Sequence, residues 1–399
     1  MSDQGGDSPA DGSEVAAHWG TFCDRMKTLG ERILGDGFPE DPQGQTEGIR
    51  HLTRMVTLGL NLFVECDDPE FPRFLRHNDD ITQWGGNNPD NTYLYARVDA
   101  GSEYKIYGNA RGTLGFIVSV RDGFMHQGDE AVVDLSSDEI EVDADGAFEL
   151  TLSAEERPGN WLRMLQNATQ VGIRVYFDDW ERPSSPVFHI VKVGNEGRSP
   201  PLLGAEQLSR TLDDAARWVE DNLVYWNEWL KQRLPFLPVN AISPPMQVAG
   251  GSNEVITYAG GRLDLGANDA LVLTIEPLQA DYVGLVYYTQ SWFETGDLAN
   301  RTTSLNRNQL HVDDDDRIRI VVCRTDPGHV NWLDTEDRPT GLLVMRTLNG
   351  DTAPTVTADV MPKSKLRTFV PASTPWLSED ERRAQIMARR EHIARRFHG

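Results

Sequence analysis

One short stretch of this chain occurs twice, and that duplication limits its fold more tightly than any other feature. Leu135-Ser-Ser-Asp-Glu-Ile-Glu-Val-Asp-Ala-Asp-Gly146 returns as Leu305-Asn-Arg-Asn-Gln-Leu-His-Val-Asp-Asp-Asp-Asp316. Ile140, Val142, Phe148, Leu150 and Leu152 align with Leu310, Val312, Ile318, Ile320 and Val322. Apolar residues at alternate positions around an Asp-rich turn make a hairpin with one buried face. Both copies continue through an acidic Pro-Gly loop into Asn160-Trp161-Leu162 or Asn331-Trp332-Leu333, and then into a further strand (Val171 to Phe177; Leu342 to Arg346). A match held in register over that span predicts a duplicated, mainly β unit: two tandem antiparallel β-sandwich or jelly-roll-like domains, since such domains are assembled from short hairpinned strands.

Around the repeats the period of the apolar residues changes. Residues 1–13, rich in Gly, Ser and Asp, are predicted to be disordered. Residues 14–80 are predicted as a helical N-terminal region, because apolar positions recur at helical spacing over Glu14–Leu34 and Gln45–Glu65. Gly85-Gly86-Asn87-Asn88-Pro89 announces turns within a first β domain spanning 81–200. A linker helix is predicted at 205–235 from Leu208, Leu212, Ala215, Val219, Leu223, Trp226 and Leu230, with Pro235 and Pro238 ending it. Trp218, Tyr225, Trp226 and Trp229 spread round this helix, which suits packing between two domains, with a ligand tunnel as the alternative. A second β domain follows at 239–362. The tail, 363–399, carries a last helix opened by the capping-box pair Ser378 and Glu381.

Composition removes several functions. Among 399 residues, 62 are acidic and 38 basic, a net charge of -24 that repels phosphate backbones, so no nucleic-acid partner is expected. Cys23, Cys66 and Cys323 share no metal or disulfide spacing, and neither a metal site nor a cofactor is expected. The Asp313–Asp316 run could bind calcium, but its alignment with Asp143-Ala-Asp-Gly146 reads as a plain hairpin tip. The N-terminus lacks the basic and apolar regions of a signal peptide, and no run of apolar residues is long enough for a membrane span, so a cytoplasmic, soluble, bacterial-type protein is expected. GxSxG, HExxH, Walker and dinucleotide fingerprints are all missing.

The second repeat resembles the bacterial family catalogued as domain of unknown function twelve-fourteen. The resemblance runs through Tyr282, Trp292-Phe-Glu294, Arg301-Thr-Thr-Ser-Leu-Asn306, Gln309 and Asp326-Pro-Gly-His-Val-Asn331-Trp-Leu-Asp334-Thr. The first repeat is similar through Asn88-Pro-Asp-Asn-Thr-Tyr93, Gly108 and Asn160-Trp-Leu. This resemblance implies a jelly-roll-like fold and no particular reaction.

The second repeat also carries polar groups that a hairpin does not require. Glu294, Arg301 and Asp326 are the candidate catalytic residues, since a carboxylate beside a basic group can do acid–base work. Trp292, Asn306, His329, Asn331, Trp332 and Asp334 are the candidate ligand-binding residues, able to stack on or hydrogen-bond a hydroxylated molecule. Structural roles compete with these: Asn331 and Asp334 as turn caps, Trp332 as a core anchor, Glu294–Arg301 as a buried pair. In the first repeat Arg163 stands where the second has Asp334, which favours the second as the functional one. The expected function is binding or enzymatic processing of a hydroxylated small molecule or glycan in a pocket of the second β domain. The alternative is a non-enzymatic scaffold, with the β domains and linker helix as a partner interface. An oligomer stays open.

Overall fold

The structure is a computed structural model that describes residues 12–35, 37–127, 131–246, 256–277, 280–348 and 355–398. The disorder expected for 1–13 lies almost wholly outside the described residues. The first helix, α1, begins at Gly12 and runs Gly12–Ile33. It is followed by α2 (Pro42–Leu60), opened by an Asp41 side chain that accepts from the Gly44 amide and continued by a π-turn over Asn61–Glu65. The predicted helical region is not wholly helical: β1 (Leu75–Asn78) falls inside it and pairs with β2 (Asn91–Arg97).

The first β unit continues with β3 (Tyr104–Asn109), β4 (Gly115–Arg121), β5 (Val132–Ser136), β6 (Ala147–Ser153), β7 (Trp161–Arg163), β8 (Gln170–Tyr176) and β9 (Val187–Lys192). After α3 (Ala205–Arg233), the second unit comprises β10 (Ile256–Asp264), β11 (Asp269–Ile275), β12 (Tyr282–Tyr288), β13 (Ser304–Asn306), β14 (Ile318–Cys323), β15 (Trp332–Asp334), β16 (Thr340–Leu348) and β17 (Val356–Pro362). A short α4 (Leu366–Phe369) and α5 (Glu379–Phe397) end the chain, and α5 opens on the expected Ser378–Glu381 capping box. Among the described residues no helix is long and apolar enough to cross a membrane.

Four sheets result. Sheet I has the order β1-β2-β8-β4-β5 and sheet II β7-β6-β3-β9; sheet III is β10-β16-β12-β13 and sheet IV β15-β14-β11-β17. Replacing β2–β9 by β10–β17 converts sheets I and II into III and IV, apart from the additional β1, so the duplication read from sequence is a duplication of topology. The units are not purely antiparallel: β7 pairs parallel to β6 and β15 parallel to β14. The reason lies in the Asn-Trp-Leu segment, a three-residue strand entered from a loop rather than from a hairpin. In each copy its Asn ties a strand to the segment that precedes that strand. Asn160 bonds both backbone groups of Glu141 and the Glu149 carbonyl, and Asn331 does the same to His311 and Arg319.

Each pair of sheets closes on its own core, with Ile106, Val118, Leu150 and Ile173 buried in the first and Leu271, Leu285, Ile320 and Leu343 in the second. A third core forms where α1 and α2 pack on α3, around Leu29, Met55, Trp218 and Val219.

Candidate ligand cavity

Side chains alternate across a strand, so residues next to core positions point away from the core. On β8, Val171, Ile173 and Val175 are core, and Gln170, Gly172, Arg174 and Tyr176 face outward. On β16, Leu343 and Met345 are core, and Leu342, Val344, Arg346 and Leu348 face outward. In an isolated sandwich such faces meet water. Here the outward faces of sheets I and III border one cavity of about 380 Å³, to which α3, the 84–93 segment, Leu237, Met246 and Phe293 add further walls. That volume falls in the range of small-molecule sites, which are concave and largely apolar.

Duplication sets the chemistry of the two facing walls. Tyr93 on β2 pairs with Arg174, and Tyr258 on β10 pairs with Arg346. Across the next strand Arg174 aligns with Ile117 and then Ser136, and Arg346 with Gly284 and then Asn306. Ser136 and Asn306 each open a capping-box 3₁₀ turn, so the two Tyr–Arg pairs occupy equivalent positions in the two units. Arg346 donates to the Tyr288 hydroxyl and the Gly86 carbonyl, each at 2.7 Å, and lies over the Tyr258 ring. Gly85 and Gly86 take φ of 64° and 65°, and a Cβ on Gly86 would lie 2.2 Å from the Phe293 ring, so this turn needs glycine.

Five polar atoms of the lining residues have no hydrogen-bond partner: His77 Nδ1, Asn87 Oδ1, the Tyr95 hydroxyl, Gln170 Oε1 and Trp226 Nε1. Burial pushes the His77 imidazole down to about 3, so it stays neutral. Among the described residues no Asp or Glu lines the cavity, and the exposed Arg233 and Met246 place an opening near the C-terminal end of α3. Such a lining supplies stacking surface and hydrogen-bond donors, with no carboxylate for acid–base work. Among the described residues no cluster of His, Cys, Asp or Glu could hold a metal.

The residues nominated from sequence sit elsewhere and apart. Glu294 bonds His51 at 2.6 Å and Arg54 at 2.7 Å on α2, and those contacts hold its carboxyl low against the opposing pull of burial. Trp292 donates to the Gly44 carbonyl and stacks on Phe38. Asp326 pairs with Arg382 of α5 at 2.9 Å. Asn306 reaches Asp90 of the first unit, which also takes the Tyr282 hydroxyl and the Trp180 indole. His329 is buried with Nδ1 accepting from the Asn331 amide, and Trp332 donates to the Cys323 carbonyl. Of the nominated residues only Arg301 and Asp334 bond side chain to side chain, at 3.0 Å. The postulated Glu294–Arg301 pair is replaced by two separate ion pairs. In the Asp313–Asp316 run, Asp313 and Asp315 are taken up by Arg319.

Sequence reasoning missed Arg121, Arg174, Arg346, Tyr93 and Tyr258 as lining residues. The available signal was an arginine on the outward phase of otherwise apolar strands, twice in the first repeat and once in the second.

No protein-family model matches the chain, and no curated protein matches it. The chain is similar to an uncharacterised protein of Burkholderia cenocepacia known from its crystal structure, with 29% identity and a TM-score of 0.80 over 89% of this chain and 100% of that one. A protein of Vibrio parahaemolyticus shares 11% identity, with a TM-score of 0.45 over 78% of this chain and 96% of the other. At a TM-score of 0.80 over 89% of this chain, the Burkholderia protein shares its fold.

Proposed function

We propose that this chain binds a small molecule with an apolar, ring-bearing body in the cavity between the two β units. The observation that carries the reading is the concave, mainly aromatic and aliphatic space of about 380 Å³ between the outward faces of sheets I and III. Concave, largely apolar spaces of this size with a few polar groups are where small molecules bind. The hydroxylated molecule or glycan expected in the second unit has less support, because its nominated residues are committed to separate contacts. Two finer readings accompany the proposal. The sandwiches are taken as jelly-roll-like and akin to domain of unknown function twelve-fourteen, on the support that eight equivalent strands in each unit, besides the extra β1, divide between two sheets. A cytoplasmic setting agrees with the free thiols of Cys23, Cys66 and Cys323.

The neutral fluorophore N-phenyl-1-naphthylamine tests the cavity. Saturable binding at one probe per chain is expected, and Val344→Trp, which fills the space from sheet III, should remove it while circular dichroism stays unchanged. Absent or non-saturable binding, or binding indifferent to Val344→Trp, would sink the reading.

A further inference from the structure

The mouth of the cavity is built from one stretch of chain with an uncommon composition. From Trp229 to Met246 the sequence holds Lys231 and Arg233 and no Asp or Glu, in a chain with 62 acidic residues. Apolar residues and prolines fill most of it, as Leu234-Pro-Phe-Leu-Pro-Val239 and Ala241-Ile-Ser-Pro-Pro-Met246. Its backbone is fixed along the edge of β10. The Asn240, Ser243 and Met246 amides donate to the Arg262, Gly260 and Tyr258 carbonyls at 2.7, 2.8 and 2.7 Å. Pro235, Pro238, Pro244 and Pro245 each lock a φ angle besides. Side chains on a stretch held this way have little freedom to fold back, yet Phe236 is 87% exposed, Met246 63% and Val239 45%.

Single exposed apolar side chains are ordinary on a protein surface. These three adjoin the cavity. Met246 itself lines it, as do Leu237, next to Phe236, and Arg233, which stacks 4.5 Å from the Trp229 ring. Apolar surface thus continues from the cavity wall out to the rim. Charges around the rim nearly cancel: Lys231 bonds Glu228 at 2.9 Å, and β10 carries both Arg262 and Asp264. The chain as a whole, at a net charge of -24, repels anionic headgroups, and the rim is a place where that repulsion is weak.

An apolar patch of this kind marks a docking surface, and its occupant follows from what the cavity takes. A molecule with an apolar, ring-bearing body concentrates in lipid rather than in water, so a mouth that meets lipid admits it without a passage through water. A bilayer accepts a few apolar tips among its headgroups, with Trp and Arg at the level of the interface. A protein partner demands more, because a stable interface covers roughly 800 Å² on each side, beyond what three side chains supply.

We propose that the rim of the cavity docks on a lipid bilayer, with Phe236, Val239 and Met246 entering the interfacial region and the ligand passing between lipid and cavity. This inference rests on the cavity being a ligand site, and the test separates the two.

Flotation of the full-length protein with extruded phosphatidylcholine vesicles provides that test. The native chain should float with the vesicles, in a fraction that rises with lipid and saturates. Phe236→Asp should weaken this partitioning at least about tenfold, and Val239→Asp should weaken it by less. Both variants should keep the native circular dichroism and the native affinity for N-phenyl-1-naphthylamine in lipid-free solution, since neither residue lines the cavity. Probe binding without vesicle binding, or vesicle binding unchanged by both substitutions, would overturn the docking assignment while the cavity stands. Self-association that depends on Phe236, without vesicle binding, would overturn it in favour of a second copy of the chain. Failure of the native chain to bind the probe would overturn the cavity reading itself, and the docking assignment with it.

Discussion

The two β units share one strand order and diverge in what covers them. In the first, Trp161 is half-buried and donates to the Ser153 hydroxyl, and Arg163 at the end of β7 is exposed. In the second, the equivalent Trp332 is buried beneath the C-terminal segment, with the Arg382 guanidinium 5.2 Å from its ring. Polar residues unique to the second unit belong to that covering. Asp326 and His329 face α5 and Trp376, and Trp292 and Glu294 dock α2. Departures from the repeat therefore mark where helices attach. What both units keep, a Tyr–Arg pair on the outward face of the inner sheet, marks the cavity between them.

The largest expected effect puts that difference in cover on a scale. Trp332→Ala should cost about 3–5 kcal/mol, and Trp161→Ala only about 1–2 kcal/mol, in urea unfolding of the full chain. Equal losses would mean that the C-terminal cover adds nothing to the second indole. The Asn staples should follow the same order. Asn331→Ala leaves half-buried peptide groups of His311 and Arg319 without partners and should cost roughly 2 kcal/mol. Asn160→Ala, whose stapled groups are more exposed, should cost roughly 1 kcal/mol. An Asn160 loss as large as the Asn331 loss would break the comparison.

Much of the fold was legible in the sequence, because period-two runs, turn residues and helix stops act locally. The predicted helices over Glu14–Leu34 and 205–235 differ from α1 and α3 by at most two residues at any end. The hairpin tips and the Asn-Trp-Leu strands also lie where the repeat put them. The parallel pairing of those short strands was not legible, since nothing local distinguishes a strand entered from a loop on one side of its neighbour from one on the other. The cavity was hidden for a related reason. Alternation reports that Arg174 and Arg346 leave their cores, but not that two outward faces meet. Conversely, Glu294 and Asp326 looked functional because their partners, His51 and Arg382, lie 243 and 56 residues away.

A smaller effect isolates one residue of the C-terminal cover. His329 has no counterpart in the first unit, where Gly159 adjoins Asn160 directly. Burial pushes its imidazole from 6.5 down to about 4, so it is neutral in the folded chain at pH 6, while the unfolded chain is largely protonated there. The unfolded state thus binds the extra proton between pH 6.5 and 4, and stability falls on acidification through that window. Each such histidine contributes a slope of up to about 1.4 kcal/mol per pH unit. His77, His126 and His392 act in the same direction, so His329→Gln should flatten the slope by one histidine's share without abolishing it. An unchanged slope would mean that His329 is protonated in the folded protein.

The smallest expected effect bears on the nominated pair that the structure does bring together. Arg301 is 45% exposed at its side chain, and its bond to Asp334 is at the edge of the second unit. Asp334 keeps a second partner, the Glu336 amide at 2.8 Å, when the arginine is removed. Asp334 is buried, but its arginine is half in solvent and its second partner remains, so Arg301→Met should cost only about 1 kcal/mol. It should also leave the affinity for N-phenyl-1-naphthylamine unchanged, since neither Arg301 nor Asp334 lines the cavity. If this variant lost probe binding while remaining folded, the ligand site would have to include the edge of the second unit. The asymmetric residues would then carry function, and the shared Tyr–Arg pairs would be reduced to packing between the sheets.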